Sequence, residues 1–166
     1  MTPEQFQQEL NRLAKEFKEL YNVHAPIIAA NTAVSYFKKN FQNEAWGRVK
    51  WQEVKRRQPT WTRNGKTIKN PYSGAKLTRK ILSGDTSDLG RSIEIKSVEN
   101  GEATIWTNPS AFTSKEPYGR VHNEGLQAGR GAGFIMPKRQ FIGESPELNR
   151  LIIKAIESKL KKIVLK

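Results

Sequence analysis

Apolar positions recur with helical spacing at both ends of this chain and alternate in its middle. Phe6, Leu10, Leu13, Phe17 and Leu20 fall three and four residues apart, which predicts an amphipathic helix with one apolar face. Thr2 is placed to cap it, Pro3 suits its first position, and Gln5 completes a capping box. Residues 22–25 break the pattern. Pro26 then restarts a helix whose stripe is Ile27, Ala30, Val34, Phe37 and Phe41. Two successive amphipathic helices need a surface to cover, and the middle of the chain is expected to supply it. Pro146 opens a last helix with Leu148, Leu151, Ile152, Ala155, Ile156, Leu160 and Ile163 on its inner face. Lys154, Lys159, Lys161, Lys162 and Lys166 lie on or beyond the outer side, where cations also suit a helix C-terminus.

The middle is built differently. Residues 46–57 read either as an extension of the second helix or as a short helix of their own. Residues 60–68 carry β-favouring side chains on both sides of Asn64-Gly65, the strongest short hairpin signal. Residues 76–83 read as a short helical run ending at Gly84. Alternation through Ile93, Ile95 and Ser97 predicts a strand, and Asn100-Gly101 turns it into a second one through Ile105 and Trp106. The pair 91–98 and 102–107 is expected as an antiparallel hairpin at the heart of a sheet. Residues 108–117 read as a loop, and 126–133, with Gly129, Gly131 and Gly133, as a mobile one. The fold class implied is α+β: a small antiparallel β-sheet packed against N-terminal helices and a C-terminal helix.

A chain of 166 residues fits one domain with a single core. Four stretches succeed one another in it: a helical N-terminal stretch over residues 1–44, a basic segment and central hairpin over 45–107, mobile loops over 108–134, and an anchor segment with the last helix over 135–166. No window approaches the roughly 18 apolar residues of a membrane span, and the first residues lack the layout of a secretory signal. There is no cysteine, so no disulfide framework, thiolate metal site or thiol chemistry arises. An intracellular, non-membrane protein is the expectation.

Charge changes the picture most. The chain has 29 basic and 16 acidic residues, net +13, and residues 45–80 hold eleven cations against Glu53 alone. Trp46, Trp51 and Trp61 are interleaved with them. A basic stretch laced with indoles can track a nucleic-acid backbone with stacking support, and Arg48, Lys55, Arg56, Arg57, Arg63 and Lys66 are the candidate DNA contacts. The same pattern also arises where tryptophans are core and the cations form a solvated face or meet an acidic protein.

The densest recognition pattern is Tyr118-Gly-Arg-Val-His122-Asn-Glu-Gly125, followed by Ile135-Met-Pro-Lys-Arg-Gln-Phe141-Ile-Gly143. His122 with Glu124, joined by Asp85 or Asp88, would be a minimal metal-dependent nuclease site. Such a site needs several converging ligands, and the one other histidine, His24, falls in the predicted break between helices. No enzyme activity, metal or cofactor is expected. Structurally, His122 reads as a partly buried imidazole bonded to backbone, fixing the turn into Gly125. Pro137 and Phe141 read as a rigid bend and an anchor, and Arg139 as a partner for Glu144 or for a neighbouring subunit's carboxylate. Gly84, Gly90, Gly125 and Gly143 read as sites of positive φ or close backbone approach.

Three blocks in order carry a resemblance. Ile81-Leu-Ser-Gly84 with Leu89-Gly-Arg-Ser-Ile93, then Tyr118 to His122-Asn-Glu-Gly125, then Met136-Pro-Lys-Arg-Gln-Phe141-Ile-Gly143 resemble the phage virion morphogenesis (tail completion) family. The stretch from Phe41 to Trp51 is similar to that family's upstream aromatic segment, so the resemblance runs from about Phe37 onward. It implies a structural protein of the virion, met in the bacterial host cytoplasm during assembly, that completes the tail or joins it to the head as a subunit of a ring. Its partners would be other connector or tail proteins, further copies of itself, and phage DNA without sequence preference. Loops 108–117 and 126–134 would reach the adjacent subunit, with Tyr118, His122, Glu124, Arg130, Arg139 and Phe141 as the contact residues. The alternative is a basic nucleic-acid-binding module.

Overall fold

The computed structural model describes residues 1–84, 86–112, 118–129, 131 and 133–165. In chain order its elements are α1 (Pro3–Glu19), α2 (Ala25–Asn43), β1 (Ala45–Trp46), β2 (Val49–Lys50), β3 (Thr60–Arg63), β4 (Lys66–Lys69), α3 (Ala75–Thr78) and α4 (Asp88–Arg91). Then follow β5 (Ile93–Glu99), β6 (Glu102–Thr107), α5 (Gly119–Glu124), β7 (Gln127–Ala128), β8 (Phe134–Ile135) and α6 (Pro146–Val164). The class is α+β, as the hydrophobic pattern predicts. Among the described residues the strands form four separate two-stranded ribbons, so the β5–β6 hairpin pairs only with itself instead of lying inside a larger sheet. The chain divides into two compact units, each discontinuous in sequence: 1–36, 94–106 and 144–166 form one, 37–93 and 107–143 the other.

In the first unit α1 starts as its sequence dictates. The Thr2 hydroxyl accepts from the Gln5 N–H at 3.2 Å, and the Gln5 amide oxygen accepts from the Thr2 N–H at 2.9 Å. The expected break at 22–25 does not occur. Leu20–His24 forms one π-helical turn that runs on into α2, with the Ala25 N–H bonded to the Leu20 carbonyl five residues back. Pro26 has no N–H to give and its ring crowds the preceding turn. A widened turn just before it lets the helical path continue where a regular one could not. Leu20, Ala30, Ala33 and Tyr36 are buried in this unit, and the Tyr36 hydroxyl lies 3.0 Å from the Ser145 hydroxyl. Ser145 caps α6, accepting from the Leu148 N–H. No residue of α1 is buried, and the helix lies against α6 with its apolar stripe partly exposed.

The second unit is centred on aromatic packing. Phe41 meets Trp51 edge-on at 5.5 Å between centroids and Phe141 at 5.1 Å, while Trp46 stacks on Phe37 at 6.2 Å. The Trp51 indole N–H donates to the Gln140 carbonyl at 2.8 Å, so the ring is buried without an orphaned donor. Ile81, Leu89, Ile93 and Phe141 complete this core. The expected need for glycine at position 90 does not hold: a Cβ there would sit 3.6 Å from the Phe41 ring, an ordinary van der Waals contact.

Residues 46–57 neither extend α2 nor form an α-helix. Glu44 stops the helix in the left-handed region at φ 51°, and Gly47, at φ 56°, turns the tight β1–β2 hairpin. Only Lys55–Arg57 winds up, as a 3-10 turn. The Asn64-Gly65 hairpin forms as predicted, with both turn residues at positive φ and Arg63 paired to Lys66 beside it. The run at 76–83 shortens to the single turn of α3. The described residues of 108–134 hold more order than loops: a 3-10 turn at Pro109–Ala111, helix α5 and the β7–β8 ribbon.

Candidate functional site

The chemistry-bearing residues converge in the second unit, and one carboxylate organises their surroundings. Glu44 accepts from both arms of the Arg57 guanidinium, at 2.6 and 2.9 Å, and from the Ile81 N–H at 2.6 Å. The bonds from Arg57, helped by the Ile81 N–H and by the Arg57 and Lys80 charges, hold its carboxyl down at about 2. Arg57 also donates to the Arg79 carbonyl at 2.7 Å, so the Glu44 end of α2 is tied to the 3-10 turn and to the segment after α3.

That frame presents Arg56. Its Nη2 donates to the Arg79 and Lys80 carbonyls, each at 2.8 Å, while its Nε is buried without a partner. Helix α5 presents the other wall. Gly119 lets α5 come close, since a Cβ there would stand 3.1 Å from a Leu89 methyl. The helix ends at Gly125, φ 75°, where an added Cβ would stand 2.9 Å from the Lys138 Cβ. Asn123 then fastens the returning strand: its side-chain oxygen accepts from the Phe141 and Ile142 N–H groups at 2.9 and 3.1 Å.

His122 packs edge-on against Tyr118, 5.8 Å between centroids. The expected imidazole bond to backbone is not made: Nδ1 is buried and unpartnered, and it is the His122 carbonyl that accepts, from the Arg139 N–H at 2.7 Å. Burial first, and the Arg139 charge second, push the imidazole down to about 4, so the ring is neutral at pH 7. The Arg139 side chain is 6 % exposed, and its guanidinium goes to the Gln52 carbonyl at 3.1 and 3.2 Å instead of to Glu144.

Tyr118, His122 and Arg139 therefore meet Arg56 around one open recess of about 240 Å³, lined further by Val54, Ile81, Leu82 and Gly84. Burial, then the Arg57 charge, lowers the Arg56 pKa; burial, then the Arg56 charge, lowers that of Arg139. Burial, with Asp88 second, raises that of the Tyr118 hydroxyl. An adjoining cleft of about 420 Å³, which shares Val54 and Arg56 with that cavity, combines Trp61 and Tyr72 with Lys55, Lys76 and Arg79.

The other sequence candidates are placed as follows. Phe141 is 1 % exposed and belongs to the core, so it has no surface to offer a partner. Glu124 is exposed and holds Arg120 at 3.1 Å within α5. Arg130 and Asp85 lie outside the described residues, as do residues 113–117 of the first proposed contact loop. Arg48, Lys55, Arg63 and Lys66 are exposed, whereas Arg56 and Arg57 are half-buried and bonded within the fold. Among the described residues no group of three or more His, Asp or Glu side chains is placed to hold a metal ion. Among them, too, no helix is long and apolar enough to cross a membrane. Sequence reasoning missed Glu44 and Asn123. The signal for Glu44 was its position, the last carboxylate before a run of eleven cations and one acid. Comparison with family models, with curated proteins and with solved structures finds no match for this chain.

Proposed function

We propose that this chain is a structural subunit of a phage particle, completing the tail or joining it to the head as part of a ring. The observation that carries the reading is the exposed apolar stripe of α1. Phe6, Leu10 and Phe17 are 55, 44 and 40 % exposed along one stripe of a well-capped helix with no buried residue. A stripe of that regularity is built to be covered, and contiguous exposed apolar surface marks an association site. Charge points to a second copy as its cover. α1 carries four carboxylates (Glu4, Glu9, Glu16, Glu19) against three cations. Taking three from 29 and four from 16 leaves 26 cations against 12 carboxylates elsewhere. The acid-flanked helix of one copy thus complements the cationic surface of the next. One face meeting a different face is the heterologous contact from which rings close. The order of sequence blocks supplies the phage context.

Mass spectrometry of purified phage particles tests the reading, together with the triple substitution Phe6→Ser, Leu10→Ser, Phe17→Ser. The chain should be present at a few copies per particle, and the substituted protein should keep its helical circular dichroism while head–tail joining fails. Absence from intact infectious particles, or an unimpaired titre with the substituted protein, would refute it.

The second reading is a nucleic-acid-binding module. The cleft that sets Trp61 and Tyr72 among Lys55, Lys76 and Arg79, beside the exposed Arg63 and Lys66, favours it. Charge reversal at Arg63 and Lys66 is the clean probe, because reversal at Arg56 or Arg57 would also break the Glu44 frame. DNA affinity that is steeply salt-dependent in the wild type and lost on reversal would support this module.

A further inference from the structure

We infer that the cavity bounded by Arg56, Tyr118, His122 and Arg139 is a recessed oxyanion site, built for a phosphoryl group. The argument is one of unbalanced charge. Among the described residues the guanidinium of Arg139, 6 % exposed, has only the neutral Gln52 carbonyl as bonded partner, and that of half-buried Arg56 only the Arg79 and Lys80 carbonyls. Neither forms an ion pair among the described residues, although Arg57, the neighbour of Arg56 in sequence, has a bidentate one with Glu44. A buried cation is ordinarily paired with an anion, since its desolvation is otherwise uncompensated. Arg139 and Arg56 line the same small space, where the Arg56 charge lowers the proton affinity of Arg139 against a weaker opposing pull from Glu53, and no carboxylate is among the described residues that line it.

Hydrogen bonding makes the same point independently. Arg56 Nε and His122 Nδ1 are the buried side-chain polar atoms left without a partner among the described residues, and both residues line this cavity. An orphaned buried polar atom costs about 1–3 kcal/mol, so two lining one cavity mark a place where a ligand can bond. A tetrahedral oxyanion has the oxygens to accept from Arg56, from His122 as Nδ1–H, and from the Tyr118 hydroxyl at once, and arginine forks suit that geometry. The recess selects against a duplex backbone, whose phosphates lie on a broad convex surface. It admits a free phosphate or a terminal phosphoryl group. This site stands apart from the ring contact of α1 and holds whether or not that reading does.

The test follows the Arg56 Nε–H and the His122 ring by NMR on the full chain at pH 7. Sodium phosphate is titrated against sodium chloride of matched ionic strength. Saturable shifts at both groups are expected, weakened at least about tenfold by Arg56→Gln, roughly 1.4 kcal/mol. His122→Gln serves as the second variant, with circular dichroism to verify folding. A short oligonucleotide with a 5′-phosphate, compared with the same strand ending in hydroxyl, separates the sources. Binding of the phosphorylated strand only would identify a terminal phosphoryl group, and binding of inorganic phosphate only a free ion. Equal binding of both strands, no saturable shift, or shifts indifferent to Arg56→Gln would overturn the site. So would binding that emerges only in Asp85→Asn, because the chain's own carboxylate next to Gly84 would then be the occupant.

Discussion

Replacing Glu44 by glutamine removes one charge from the junction of α2 and the basic segment, and the consequence can be worked out from the contacts. The carboxylate meets Arg57 through two short bonds, the two side chains are 17 and 19 % exposed, and the carboxyl is held at about 2 against an ordinary 4.5. That displacement corresponds to about 3 kcal/mol at neutral pH. Screening at a partly open site reduces it to about 2 kcal/mol. Glutamine keeps an acceptor for the Ile81 N–H but leaves Arg57 with only the more exposed Glu53 carboxylate, 3.5 Å away, as counter-charge. The sign is that of a depressed acid: the stabilisation is fully present above pH 4.5 and is lost as pH falls toward 2. Urea unfolding followed by tryptophan fluorescence is the assay, since Trp46, Trp51 and Trp61, three of four tryptophans, report on the second unit. A chain with two compact units need not melt in one step, and a probe local to one of them avoids that assumption. Wild type should exceed Glu44→Gln by about 2 kcal/mol at pH 7, with the gap closing toward pH 2. A gap absent at pH 7, or constant down to pH 2, would refute the assignment of Glu44 as the electrostatic tie.

Two further predictions concern the cavity and its support. Gly125→Ala places a Cβ 2.9 Å from that of Lys138 at φ 75°, so it should destabilise the second unit by about 1–3 kcal/mol in the same urea assay; a neutral result would show that the α5 cap can relax. His122, neutral in the fold, has its pKa lowered to about 4 from 6.5, so its contribution is full above pH 6.5 and lost as pH falls toward 4. His122→Gln should flatten the pH dependence of unfolding in that window, by about 1–2 kcal/mol after solvent screening. A slope unchanged by the substitution would place the titration elsewhere.

What could be read from the sequence was what short-range chemistry decides. Thr2 and Pro3 start α1, and Asn64-Gly65 and Asn100-Gly101 turn hairpins, because each signal and its structural consequence lie within a few residues. The misreadings have the opposite character. Pro26 suggested a new start, whereas the π turn at Leu20–His24 absorbs it and the helix runs on. Residues 46–57 looked helical by composition, but Glu44 leaves the helical region at φ 51°, in a geometry stabilised by Arg57 and Ile81 from later in the chain. The cavity was half legible. Tyr118, His122 and Arg139 stood out as a group, and Arg56 stood out for another reason, its place in a run of cations. Their meeting is tertiary, fixed by Arg79, Lys80 and Gln52 carbonyls that no local pattern announces.

The interleaving of the two units governs how the chain emerges from a ribosome. α1 packs near α6 within the first unit, yet 126 residues separate Glu19 from Pro146. At elongation rates of roughly 5–20 residues per second, α1 waits on the order of ten seconds for α6. The second unit, whose segments end at Gly143, completes its complement first. Through that interval the Phe6, Leu10 and Phe17 stripe is presented to every nascent neighbour on the same message. If α1 is the contact between copies, as proposed above, copies made together on one polysome would meet through it before any of them is finished, ahead of encounters between released chains.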